Sequence, residues 1–187
     1  MTKFISMNPL QIISNYYQPQ SSGFQILVEH SRAVANLAVE IAHRHPTLNA
    51  DISFLYEAAM LHDIGIFKTH APDLDCHGTL PYICHGSQGR AILDMEGYPL
   101  HALVCERHTG TGISLQDIVA QNMPIPHRDM LPLSIEERII CYADKFFSKS
   151  GPLSTPKSID RIRQSLLKFG PNHVARFDQW HQEFAIN

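Results

Sequence analysis

One stretch of the chain constrains the fold more than any other, because its apolar residues follow a helical repeat. Between residues 27 and 41, the side chains that recur at steps of three and four are Leu27, His30, Val34, Leu37 and Ile41. This spacing places them on one face of an α-helix that has to pack against other elements. A core of packed helices is therefore predicted, with His30 on the buried face.

The rest of the chain also favours helices. Residues typical of helix starts and ends divide it at short intervals; they include Asp51, Gly97 with Pro99, Ser114 with Asp117, Ser134 with Glu137, a helix end at Ser150-Gly151-Pro152, a helix start at Thr155-Pro156, and Gly170 with Pro171. A Pro- and Gly-containing segment around residues 72–81 has no sustained period and indicates a loop. No alternating strand pattern or internal repeat stands out, so the predicted fold class is all-α.

Size and charge limit the partners. A chain of 187 residues with 44% hydrophobic residues suits one domain, or one domain with a short appendage. The net charge is −3 with histidines neutral, so there is no basic field of the kind that binds nucleic-acid polymers. No nucleic-acid partner is expected.

Cysteine usage and hydropathy suggest a cytoplasmic protein. The four cysteines form no Cys-x-x-Cys pair, so we expect free thiols rather than a structural zinc site. The N-terminal stretch lacks a continuous apolar segment with a cleavage site, and no run of about 18 apolar residues occurs. We therefore predict no membrane partner and a reducing, cytoplasmic environment.

A histidine and an aspartate stand side by side where an apolar run ends. Residues 57–61 are typical of a helix, and Gly65 stands where a helix-ending glycine is expected. His62 and Asp63 are therefore predicted to lie inside, where an unpaired carboxylate costs on the order of several kcal/mol. Asp63 needs a metal, a cation or several donors. An isolated pair of this kind is also compatible with a polar helix end.

Other residues could face this pair. Asp144 shares a predicted helix face with Ile140 and Phe147, so its carboxylate points toward the core. His85 begins one predicted helix and His108 ends another. Each histidine taken alone is also compatible with a core residue bonded to a backbone carbonyl. Together the candidate metal ligands are His30, His62, Asp63, His85, His108 and Asp144.

These residues resemble a known signature. His30, the pair His62-Asp63 within HDIG, and Asp144 within Tyr142-Ala143-Asp144-Lys145 resemble the H…HD…D signature of the HD-domain phosphohydrolase superfamily over roughly residues 26–148. The segments HDIGIFKTH, HGSQGRAIL and ERHTGTGI are similar to a small HDIG-type subfamily. The resemblance implies an HD-domain helical bundle: one domain over residues 1–187, with its core at about 26–148 and a C-terminal helical extension at 155–187.

The resemblance also implies the metal content. His30, His62, Asp63 and Asp144 would bind one ion, and His85 and His108 match positions that hold a second ion in dinuclear branches, with Asp63 bridging both. Mixed nitrogen and oxygen ligation favours two divalent ions of iron or manganese, with zinc, nickel, cobalt and magnesium as alternatives. Thr109-Gly110-Thr111-Gly112 replaces the Gly-Tyr-Pro tripeptide of one such branch, which argues against cyclic di-GMP as substrate.

The implied function is a metal-dependent phosphohydrolase or phosphodiesterase. It would cleave a phosphate ester or diester of a nucleotide or another small phosphorylated metabolite, using a metal-bridged hydroxide formed near neutral pH. Asp63 and Lys68 are the candidate catalytic residues. Lys68, Arg90 and Arg107 are the candidate phosphate-binding residues, although exposed charges of this kind are often only solvated. His70 is a positional candidate for the acid that protonates the leaving group.

Two other functions share the same signature. A non-catalytic HD regulatory module would keep the fold but lose ligands, whereas all the candidate positions are filled in this chain. A di-iron HD-type oxygenase would use comparable ligands, and dioxygen-dependent cleavage would reveal it. The sequence identifies neither the substrate nor the oligomeric state.

Overall fold

The computed structural model describes residues 7–151 and 155–186, so the predicted helix end at Ser150–Pro152 lies partly outside the described residues. The α-helices are α1 (Pro9–Ser14), α2 (Ser22–Arg44), α3 (Ile52–Leu61), α4 (His85–Met95), α5 (Pro99–Arg107), α6 (Leu115–Ala120), α7 (Ile135–Asp144), α8 (Ile159–Leu167) and α9 (Pro171–Phe184). Short 3-10 helices span Pro46–Leu48, Ile64–Lys68, Pro72–Leu74 and Tyr82–Cys84. The all-α prediction is confirmed.

Helix α2 is the long central element. Ser21 caps its start by accepting a hydrogen bond from the backbone N–H of Phe24 at 3.1 Å. Of the predicted apolar face, Leu37 is only half-buried, while the other four positions are buried and Ala38 joins them. The helix packs on α3 and α7. His30 is thereby held in the middle of the core.

Helix α3 ends directly before the His-Asp pair. Asp51 caps its start, and its last residue is Leu61. Gly65 is not the helix-ending glycine that the sequence predicts, because it lies inside the 3-10 helix Ile64–Lys68 and not in a left-handed turn. A Cβ at this position would lie 2.2 Å from the carbonyl oxygen of His85 and 2.4 Å from the backbone nitrogen of Gly89. Gly65 therefore permits close approach of α4.

Helices α4 and α5 form an antiparallel pair behind this contact. Gly97, with φ of 83°, makes the turn between them, and Pro99 begins α5, as predicted. A Cβ on Gly86 would lie 2.7 Å from the carbonyl oxygen of Cys105. The glycine thus lets the start of α4 approach the end of α5. His85 and His108 come together for this reason.

The C-terminal helices pack onto the same core. Phe177, Trp180 and Phe184 of α9 are buried in one apolar cluster with residues of α2, α3 and α7. Helix α8 begins at Ile159 with Ser158 as its cap, later than the start predicted at Thr155-Pro156. The predicted loop contains a small antiparallel hairpin, β1 (His70–Ala71) and β2 (Cys76–His77). Within the described ranges, no helix has both the length and the apolar composition needed to span a membrane.

Candidate metal centre

Four side chains from α2, the residues directly after α3 and the end of α7 meet in the core. We call His30, His62, Asp63 and Asp144 the first cluster; all four are buried. His30 Nε2 lies 3.0 Å from Asp144 Oδ1 and 3.3 Å from Asp63 Oδ2. His62 Nε2 lies 3.0 Å from the same Asp63 oxygen and 3.5 Å from Asp144 Oδ1. This donor set has the size and composition of a metal site.

The other oxygen of Asp63 faces a second group, formed by Asp63, His85 and His108, which we call the second cluster. His108 Nε2 lies 3.3 Å and His85 Nε2 lies 3.5 Å from Asp63 Oδ1. Each carboxylate oxygen of Asp63 therefore belongs to a different cluster. The structure brings together all six candidate ligands, and the two oxygens of Asp63 face different clusters, which is compatible with the bridging role that the resemblance implies.

The histidines are oriented as metal ligands usually are. Nδ1 of His62, His85 and His108 lies 2.6, 2.7 and 2.8 Å from the backbone carbonyl oxygen three residues earlier, that is from Ala59, Tyr82 and Cys105 respectively. A carbonyl only accepts, so each Nδ1 carries the hydrogen and donates it. Nε2 of each ring therefore points into a cluster. A hydrogen bond from the other ring nitrogen to a carbonyl is what usually orients ligand histidines in metal sites.

The second cluster fits a cation particularly well. Burial lowers the pKa of His85 to about 3, and His108 beside it acts in the same direction; burial also lowers the pKa of His108. Both rings are therefore neutral near pH 7, and their Nε2 atoms carry lone pairs. Those two atoms lie 3.1 Å apart. Facing lone pairs repel each other, whereas a cation between them would bind both.

The first cluster holds more charge. Burial by itself would raise the pKa of Asp63, but His62 and the ammonium group of Lys149 outweigh it and hold that pKa well below its usual range. Burial would also lower the pKa of His62, but Asp63 and Asp144 outweigh it and raise the pKa to about 9. His62 Nε2 and Asp63 Oδ1 have no hydrogen-bond partner among the described residues, while Asp63 Oδ2 faces the ammonium group of Lys149 at 2.7 Å. Such buried, poorly satisfied groups fit a metal ion.

Comparison with known families decides the identification. The family model described as the HD domain matches residues 27–148. This chain belongs to the HD-domain family. The match agrees closely with the region that carries the sequence resemblance.

The relatives are of several kinds. An uncharacterised protein of Methanocaldococcus jannaschii is 30% identical to this HD protein over 150 residues, which is 79% of each chain. Proteins named tRNA (cytidine(56)-2'-O)-methyltransferase from Thermoplasma volcanium and Picrophilus torridus are 29% and 27% identical over 82% and 86% of this chain. The matched region spans only 41% and 42% of their lengths, so their activity does not carry over to this chain.

A solved structure shows the same fold. The HD domain of the phosphodiesterase PgpH from L. monocytogenes covers 96% of this chain and 89% of its own, with a TM-score of 0.53 and 19% identity. At this identity the match speaks for the fold alone. It confirms the prediction of an HD-type helical bundle.

A cavity beside the first cluster of this HD domain carries positive charge. It has a volume of about 250 Å³, and its walls include Asp144 and three lysines, Lys145, Lys149 and Lys157; we call it the lysine cavity. Lys149 Nζ lies 2.7 Å from Asp63 Oδ2, and Lys145 Nζ lies 2.8 Å from Asp144 Oδ2. An anion entering this cavity would meet several ammonium groups next to the metal ligands.

The cations predicted from the sequence lie elsewhere. Lys68 is exposed, and its Nζ stands over the ring of Phe67 at 5.3 Å from the centroid. Arg90 pairs with the buried Glu106, and Arg107 donates to both oxygens of Glu137 at 2.9 and 3.0 Å. The structure does not bring these three residues to the metal centre, because the 3-10 helix leads Lys68 to the surface and partner carboxylates hold the arginines.

Sequence analysis missed the lysines that do line the cavity. Lys145 stands within the quoted Tyr-Ala-Asp-Lys motif, but a basic residue at a helix end has an ordinary explanation as a favourable charge on the last carbonyls. Lys149 follows in a segment without helical or strand structure, where periodicity predicts no direction. The signal that was available is the pair of lysines within five positions after a buried aspartate.

Proposed function

We propose that this HD domain is a metal-dependent phosphohydrolase that cleaves a phosphate ester or diester of a small metabolite. The observation that carries the proposal is the contact between Lys149 and Asp63, because it joins the lysine cavity to the carboxylate shared by both clusters. Cation-binding residues and an anion-binding cavity therefore adjoin. Phosphoryl transfer needs both, since negative charge accumulates on the phosphoryl oxygens.

His30, His62, Asp63 and Asp144 would hold one divalent ion, and Asp63, His85 and His108 a second. When bound, such ions supply Lewis-acid stabilisation of phosphoryl oxygens and a lowered pKa for a bound water. Nitrogen and oxygen donors together suit iron or manganese. The protein residues themselves would orient the phosphate through Lys145, Lys149 and Lys157 and neutralise part of its charge.

Lys149 is the residue that tests the cavity assignment. It is 16% exposed, and it faces both the cavity and the carboxylates. In metal-saturated protein, Lys149→Gln should lower kcat/KM for a phosphorylated substrate by about tenfold or more, because a charged hydrogen bond to phosphate is lost. Lys68→Gln is the matched control, and it should leave kcat/KM unchanged.

The primary experiment is a screen of phosphorylated metabolites with anaerobically prepared protein loaded with manganese or iron. Release of inorganic phosphate is measured for monoesters, and formation of the phosphomonoester product is measured for diesters. Turnover that depends on metal and on Lys149 supports the proposal. A loss of activity in Lys68→Gln but not in Lys149→Gln would contradict the cavity assignment. Metal binding without turnover of any member would favour a regulatory module, and substrate-dependent dioxygen consumption would favour an oxygenase.

A further inference from the structure

A second cavity adjoins the lysine cavity and differs from it in chemistry. Its volume is about 270 Å³, and its walls include the apolar side chains of Ile83, Ile113, Met123 and Phe169. We call it the apolar cavity. Tyr82 and Gly110 line both cavities. A ligand whose phosphate lies among the lysines therefore has an apolar compartment immediately beside it.

Two residues of the apolar cavity come from this chain's C-terminal extension. Phe169 stands between α8 and α9, and His173 lies in the first turn of α9, both beyond residue 148, where the family match ends. Arg176, also in α9, donates hydrogen bonds to the carbonyl oxygens of Thr111 and Gly112 at 2.6 and 3.2 Å. The extension is thereby attached to the loop that follows His108.

The shared wall reaches the metal centre. The ring of Tyr82 stacks on His85, with centroids 4.7 Å apart and planes inclined by 30°. A group in the apolar cavity would therefore lie one ring away from the second cluster. One small molecule can place its phosphate in the lysine cavity and an attached group in the apolar cavity. The two cavities together have the size of a small-molecule site, which is about 300–1,000 Å³.

The wall of the apolar cavity also contains the polar residues Thr109, Asp117, Gln121 and His173. His173 Nδ1 lies 3.0 Å from Thr111 Oγ1, whereas its Nε2 lies 3.9 Å from Asp117 Oδ2, which is beyond hydrogen-bond range. Asp117 Oδ2 already accepts from the backbone N–H and the hydroxyl of Ser114 at the start of α6. The Nε2 edge of His173 can therefore pair with a polar edge of a ligand.

We infer that the apolar cavity binds the base of a nucleoside phosphate whose phosphate occupies the lysine cavity. A nucleobase has two apolar faces for Tyr82 and Phe169 and a polar edge for His173 and Asp117. A sugar would place most of its hydroxyls against the isoleucines, Met123 and Phe169, and an alkyl group would make no hydrogen bond to the polar residues of the wall. The inference names the substrate class of the proposed phosphohydrolase and in that respect rests on it.

Binding tests the inference without requiring turnover. Calorimetry on manganese-loaded protein would compare four nucleoside 5'-monophosphates with ribose 5-phosphate, which has the same phosphorylated sugar and no base. At least one nucleotide should bind about tenfold or more tightly, since stacking of a base on an aromatic side chain contributes an effect of that size. Equal affinity for all five compounds would overturn the inference.

Variants of Phe169 locate the effect. Phe169 is 51% exposed, so Phe169→Ala should fold, and it should reduce the preference for the nucleotide about fivefold while leaving ribose 5-phosphate binding unchanged. Phe169→Tyr keeps a ring and should retain the preference. Leu167→Ala is the matched control, because Leu167 is 60% exposed and does not line the cavity. Met123→Trp, which fills the cavity, should also reduce the preference.

The results separate the inference from the proposed function. Suppose that binding depends on the base and is lost in Phe169→Ala, but no hydrolysis is detected. This result would support the base site and contradict the proposed reaction. Hydrolysis of ribose 5-phosphate and nucleotides with equal kcat/KM in wild type and in Phe169→Ala would support the reaction and remove the base site.

Discussion

The first and second clusters share Asp63 but differ in the type and charge of their other side chains. The first combines two carboxylates with two histidines from α2, the residues directly after α3 and the end of α7, and Lys149 lies against it. The second has one carboxylate and two histidines, held at facing ends of α4 and α5. One cluster balances opposite charges before a metal ion arrives, whereas the other presents two neutral rings whose lone pairs face each other. The clusters should therefore bind ions with different proton release and different sensitivity to the packing of α4.

The largest effect is expected where the clusters meet. Asp63→Ala removes an oxygen ligand from both clusters, so metal content should fall from about two ions per chain to nearly none. The value of kcat/KM should fall by at least about a hundredfold. Elemental analysis of anaerobically loaded protein measures the first quantity and phosphate release the second. Asp73→Ala, at an exposed position, should retain both. Full metal content in Asp63→Ala would contradict the shared-carboxylate assignment.

Substitutions in the second cluster should separate the two ions. His85→Ala and His108→Ala should each reduce metal content from about two ions toward one, with the helical circular-dichroism signal retained, because the first cluster keeps its ligands. Activity should fall steeply in both.

His101 provides the matched control for these variants. It is buried outside both clusters, and its Nε2 lies 3.4 Å from Glu57 Oε2 without forming a hydrogen bond. His101→Ala should lower the free energy of unfolding by about 1–3 kcal/mol without changing metal content. If His85→Ala and His108→Ala behave in the same way, they are core histidines. A wild-type stoichiometry that never exceeds one under metal-replete conditions would exclude the two-ion site.

Packing of α4 should affect one cluster more than the other. Gly65→Ala places a Cβ against the carbonyl oxygen of His85, so α4 has to shift, at a cost of about 1–3 kcal/mol in the free energy of unfolding. Affinity for the second ion should fall more than affinity for the first, as a two-step metal titration would show. Gly97→Ala strains a turn far from any neighbour and should destabilise the protein without this selectivity. If the affinities for both ions fall equally, the position of α4 affects both clusters and the expected selectivity is wrong.

The smallest expected effect is the difference in proton release between the two clusters when they bind a metal ion. His62 has a pKa of about 9 in the metal-free protein against about 6.5 when unfolded, so its stabilising contribution is complete below pH 6.5 and is lost as pH rises through 9. That loss amounts to at most about 1.4 kcal/mol per pH unit. Metal binding by the first cluster needs the neutral ring, so the stabilisation by manganese should grow with pH over the same interval.

Thermal melting between pH 6.5 and 8.5, with and without manganese, measures this difference. His62→Ala should remove the pH-dependent part of the manganese effect. His85, whose pKa is lowered to about 3, is already neutral in this range and contributes no slope. A manganese stabilisation that is constant with pH in the wild type would contradict the protonated state of His62.

Much of the candidate metal centre is predictable from local sequence. Helical periodicity places His30 and Asp144 on buried faces, and helix boundaries place His62, His85 and His108 at ends that lead into the core. These properties depend on near neighbours in the chain, and the structure retains each of them. Gly65 differs from its predicted role for a related reason: a glycine after a helix is usually a cap, and only the position of α4 shows that its missing side chain makes room for the backbone of His85.

Two lysines show what sequence alone could not determine. Lys68 stands five positions after Asp63, and Lys149 stands five positions after Asp144. Their spacing from the preceding aspartate is the same, so the local sequence does not distinguish the two lysines. In the folded protein Lys68 projects over Phe67 at the surface, while Lys149 lies 2.7 Å from Asp63, a residue 86 positions earlier in the chain. The sequence by itself determined the ligand types, the helices that carry them and the all-α class, because each follows from short-range periodicity. The tertiary structure decided which cations reach the ligands, since that depends on how segments distant in sequence pack together.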